Sequence, residues 1–231
     1  MSPKSKLSKA EVIDQLMEQA SEALVRTDYF EAEELALRAL NAAYDSTDYE
    51  RMARIVLPLQ EARRQKRLAA LDTGVLVRLN EADQENLAEC EIEPGCYLFE
   101  PLLVGADGRD FRDRANLQRV PIHVVVREPR TNEGLWPIVM IGPLTVRTKV
   151  RPPARNDEDD VSIEWMQKAS ESLGDAAIMK VDTTRSAADQ VGQLLDLLGT
   201  CPDHEKLHQA FESACRAAMR EGAAKDAKKV G

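Results

Sequence analysis

The chain has few aromatic residues, ten in 231 positions, and only four cysteines and three histidines. Cys90, Cys96, Cys201 and Cys215 form no C-x-x-C pair and are too sparse for a disulfide framework, so reduced thiols are expected. Long hydrophobic runs are missing too. The stretch from Leu135 to Leu144 is broken by proline and glycine, well short of the roughly 20 residues a membrane helix needs. The basic segment Met1 to Lys9 is followed by no apolar signal-peptide core, which makes a cytoplasmic location the expectation. A basic excess is also absent: 31 Lys and Arg stand against 40 Asp and Glu, a net charge of -9. Six of those nine charges fall in residues 156–231. Neither nucleic acid nor a membrane is an expected partner, because phosphate capture needs clustered Lys and Arg. No glycine-rich phosphate loop is present. Gly105-Ala-Asp-Gly108 comes nearest and fits neither nucleotide-binding spacing.

What remains is enough apolar residue for a core, 43% of the chain, patterned first as helix. Ser8 and Glu11 form a capping box for a helix with Val12, Leu16, Ala20, Ala23 and Leu24 on one stripe. After the break Arg26-Thr27-Asp28, a second helix runs from Tyr29 to Tyr44 with Ala32, Leu35, Ala36, Ala39, Leu40 and Ala43 on one face. A third spans Tyr49 to about Leu71, and Pro58 predicts a kink or division within it.

The run Thr27-Asp28-Tyr29-Phe30-Glu31-Ala32, with Ala39-Leu40 after it, resembles the turn and second helix of a tetratricopeptide repeat over residues 13–46. Thr27 stands where that family has glycine, and no helix-ending proline follows Leu40. The resemblance implies an antiparallel helical hairpin and a protein-docking role, with Tyr29, Tyr44 and Tyr49 as candidate contacts. One repeat cannot bury its own face, so packing on the rest of the chain or on a second copy is expected.

Residues 72–231 read as a second domain of α/β type. Strands are predicted at Val75–Val77, Cys96–Phe99, Ile122–Val126, Trp136–Ile141, Leu144–Val150 and Ala176–Val181. Helices are predicted at Arg109–Gln118, Ser162–Leu173 with Gly174 as C-cap, Ser186–Leu198, and Pro202 to about Glu221. Residues 81–91 read as a short helix or loop, 151–160 as an acidic connector and 222–231 as a frayed tail. The predicted fold class is α+β or α/β: N-terminal helical hairpins followed by a layered domain with a mixed sheet, Trp136–Val150 forming an antiparallel pair at one edge.

One chemical motif stands out. His204-Glu205-Lys206-Leu207-His208 fits H-E-x-x-H, which on a helix sets two imidazoles one turn apart on one face for zinc, with Glu205 as general base. Cys201 is a third candidate ligand, and Cys215 flanks the motif. The motif resembles that of zinc metallopeptidases. Lys206, the position in the first helical turn and the missing third histidine depart from that family.

Other charged groups read as surface. Arg147, Lys149 and Arg151 form a basic row on a strand face, which suits edge protection. The cluster Arg63-Arg64-Gln65-Lys66-Arg67 suits a helix C-terminus. His123 reads as a satisfied core histidine. These observations favour a non-enzymatic interaction or adaptor module with no cofactor, binding a protein partner or itself, with a zinc-dependent hydrolase as the alternative.

Overall fold

The computed structural model describes residues 7–153 and 161–230. Most of the acidic connector, from residue 154 on, lies outside them. Among the described residues the helices are α1 (Lys9–Val25), α2 (Tyr29–Asp45), α3 (Tyr49–Asp72), α4 (Gly105–Leu117), α5 (Ile163–Ile178), α6 (Ala187–Thr200) and α7 (Glu205–Val230). The strands are β1 (Leu76–Leu79), β2 (Gly95–Phe99), β3 (Ile122–Arg127), β4 (Trp136–Ile141) and β5 (Thr145–Val150). The architecture is α+β, with antiparallel helical hairpins and a mixed sheet.

Two compact units are formed, and neither is one continuous stretch. The first comprises the described residues within Met1–Arg63, Asp182–Gly192 and His208–Gly231; the second comprises Arg64–Val181 and Gln193–Leu207. The sequence reading placed its boundary at residue 71. The chain instead passes between units within α3, between α5 and α6, and within α6 and α7.

In the helical unit, Ser8 and Glu11 cap α1 reciprocally. Its buried face is Ile13, Leu16, Ala20 and Ala23, whereas Val12 is 40% exposed. Leu16, Ala20 and Ala23 of the expected stripe are thus buried, and Ile13 takes the place of Val12. Small alanines on both helices let the backbones approach, as α2 buries Ala32, Ala36, Ala39 and Ala43. The two interhelical turns are built alike. Thr27 and Thr47 both adopt positive φ, 61° and 57°. Each is followed by an aspartate, Asp28 or Asp48, whose Oδ1 accepts the amide three residues on. This is N-capping in its ordinary form. The core extends to Met52, Ile55, Val56 and Leu59 of α3 and to Phe211 and Cys215 of α7, all buried. The N-terminal hairpins thus share one unit with helix from the C-terminal part of the chain. Pro58 does not divide α3, which continues to Asp72.

In the α/β unit the sheet order is β1-β2-β3-β4-β5. β1, β2 and β3 are parallel; β4 and β5 pair antiparallel, as expected for the edge. α4 connects β2 to β3 and packs on one face. Tyr97, Phe99, Phe111, Val124, Val126 and Val139 form a core there. Phe111 meets Tyr97 and Phe99 at ring-centroid distances of 4.8 and 5.4 Å.

Three expectations in this unit are corrected. The helix expected at Arg109–Gln118 starts earlier, with Gly105 and Gly108 forming the first turn of α4. A Cβ on Gly108 would come 2.3 Å from a Val126 methyl, so close approach of helix to sheet is what requires glycine. Gly174 is not a cap either, because α5 continues to Ile178 and the strand expected at 176–181 does not form. The final helix starts at Glu205, not Pro202, and runs through Gly222 to Val230 instead of fraying.

Candidate ligand-binding cleft

α5 is amphipathic. Met166, Ala169, Leu173 and Ala177 are buried, leaving Glu164, Gln167, Lys168, Glu171 and Asp175 on another face at three- and four-residue steps. That polar face lines a cleft of about 500 Å³ whose other walls include Arg67 and His123. The volume falls within the range of small-molecule sites, roughly 300–1,000 Å³. An adjoining smaller pocket of about 20 Å³ touches Arg67, Arg112, Cys201, Asp203 and His204. It is the size of about one water molecule.

Arg67, near the end of α3, ties this region together. Its Nη1 donates to the Asp203 carbonyl at 2.8 Å and its Nη2 to Glu205 Oε1 at 2.9 Å. Glu171 lies 3.6 Å away. The segment Asp203–Glu205 is thereby fixed beside α5. Arg112 donates to the Thr200 carbonyl at 3.3 Å, holding the preceding turn.

His123, at the start of β3, is 1% exposed. Its Nδ1 lies 3.6 Å from Asp203 Oδ2. Neither ring nitrogen has a hydrogen-bond partner among the described residues. Burial would raise the Asp203 carboxyl, but the His123 contact and the charges of Arg112 and Arg67 outweigh it and hold the group at about 2. Asp203 is therefore a carboxylate at neutral pH. His123 is a core histidine, as the sequence reading had it, but not a satisfied one.

The H-E-x-x-H residues are arranged differently from the helix-face geometry expected. His204 precedes α7 and caps it, its Nδ1 accepting the Leu207 amide at 3.2 Å. Its Nε2 faces Glu171 Oε2 at 3.4 Å and Asp175 Oδ1 at 3.3 Å. Glu205 is held by Arg67, with Arg64 3.8 Å away. His208 belongs to the helical unit, where Nη1 of the buried Arg63 donates to its Nε2 at 3.3 Å. Arg63 also bonds Glu33 at 2.7 Å. Burial pushes the Cys201 and Cys215 thiols up to about 12, away from the thiolate that a metal requires. Among the described residues, no three His, Cys, Asp or Glu side chains gather as a metal ion needs. The premise that His204 and His208 share one helix face is corrected by the later helix start.

Tyr44 is 43% exposed and Tyr29 and Tyr49 are half-buried. Tyr49 has its hydroxyl pushed up by burial and by Cys215, Tyr44 and Asp189. The basic row of β5 is neutralised in part, Arg147 by Glu128 and Lys149 by Glu133. No helix among the described residues is long and apolar enough to cross a membrane.

Sequence reasoning missed the polar face of α5 and the pairing of His123 with Asp203. The first had a signal in the spacing 164, 167, 168, 171 and 175. The second had none, since 80 positions separate the partners. No family model, curated protein or solved structure matches the chain.

Proposed function

We propose that the chain is a binding protein whose α/β unit takes a small polar ligand in the cleft beside His123. One observation carries this reading: the buried imidazole of His123 lines an open cleft, and neither of its ring nitrogens has a hydrogen-bond partner among the described residues. A buried polar atom without a partner is costly, about 1–3 kcal/mol, and such atoms are rare in folded proteins. A ligand group at the cleft wall supplies the missing bond. The charged side chains around it fix orientation, as polar groups do in small-molecule sites. A thermal-shift screen of small polar molecules tests the proposal. Compounds that raise the melting temperature of the wild type should lose their effect on His123→Phe. Compounds acting equally on both proteins contradict it.

The helical unit supports a second reading, in which a second copy of this chain docks beside Tyr29, Tyr44 and Tyr49. It is favoured by the exposure of Tyr44 and agrees with the resemblance to tetratricopeptide helices. Sedimentation at rising concentration should show an association that Tyr44→Arg abolishes. A monomer throughout contradicts this reading.

A further inference from the structure

We draw no further inference here: the strongest candidate, the charged face of α5 along the cleft beside His123, belongs to the site already described, and its carboxylates are already paired, Glu164 with Lys168, Glu171 with Arg67 and Asp175 with Lys206, so they select no class of ligand.

Discussion

His204 occupies the space that a side chain at residue 174 would need. A Cβ on Gly174 would lie 2.1 Å from His204 Cγ and 2.2 Å from its Cδ2. This close packing seats the imidazole between α5 and the start of α7, where Nδ1 caps the helix and Nε2 reaches Glu171 and Asp175.

Gly174→Ala therefore has a diagnostic sign. In an ordinary helix interior the change stabilises by about 1 kcal/mol. Here it should destabilise the protein by about 2 kcal/mol, the usual scale of overpacking, because the His204 ring must move. Urea unfolding of the two proteins measures it. A more stable variant contradicts the packing described.

The same imidazole makes stability depend on pH. Burial lowers the His204 pKa from 6.5, against the opposing pull of Glu171 and Asp175. The folded state then binds this proton less readily than the unfolded state, so stability is full above 6.5 and falls as pH drops through the lowered value. Protonation also removes the lone pair that accepts the Leu207 amide. Hydrogen exchange at Leu207 should quicken on acidification, and His204→Asn, which keeps a capping acceptor, should flatten the dependence. Asp203 adds loss in the same direction at lower pH, between its usual 3.8 and about 2.

Much of the architecture was legible because it follows from periodicity. The Ser8 cap, the alanine stripe of α2, strand β3 and the antiparallel pair at the sheet edge all follow from local pattern. Errors clustered at glycines. Gly108 was left outside a helix starting at Arg109 and Gly174 was read as a C-cap, yet both sit inside helices because a neighbouring side chain, Val126 or His204, takes the place of their Cβ. Local pattern carries no information on such contacts. The H-E-x-x-H spacing failed similarly. It specifies one helix face only if the helix includes both histidines, and the turn at Cys201–Asp203 starts α7 one residue too late. His123 and Asp203, distant in sequence, could be paired only by the fold.

The two interhelical turns offer a stabilising change. Thr27 and Thr47 are β-branched residues in the left-handed region, which costs an L-residue roughly 1–2 kcal/mol. Thr27→Gly and Thr47→Gly should each stabilise by about 1 kcal/mol, part of the gain being lost to unfolded-chain entropy. Calorimetry should show higher melting temperatures. A drop in either variant means that the threonine side chain contributes more than its strain.

Arg63 joins Glu33 and His208 in the helical unit, with side-chain exposures of 7% for Arg63 and 13% for Glu33. Arg63→Met leaves a carboxylate largely buried without this partner and should cost about 3 kcal/mol. Adding Glu33→Met should recover part of that loss, since the stranded charge goes with it. Equal and additive losses in chemical denaturation would show that the pair is not coupled.

The central claim is that the buried imidazole of His123, with no hydrogen-bond partner among the described residues, borders a ligand cleft. With three histidines in the chain, imidazole ¹⁵N resonances can be assigned by single replacements at His204 and His208. The decisive measurement is the long-range ¹H–¹⁵N correlation spectrum of His123 in the full chain at pH 7.5. The account predicts His123 ring-nitrogen signals that move when a cleft ligand is added. Signals indifferent to every compound that stabilises the protein contradict it.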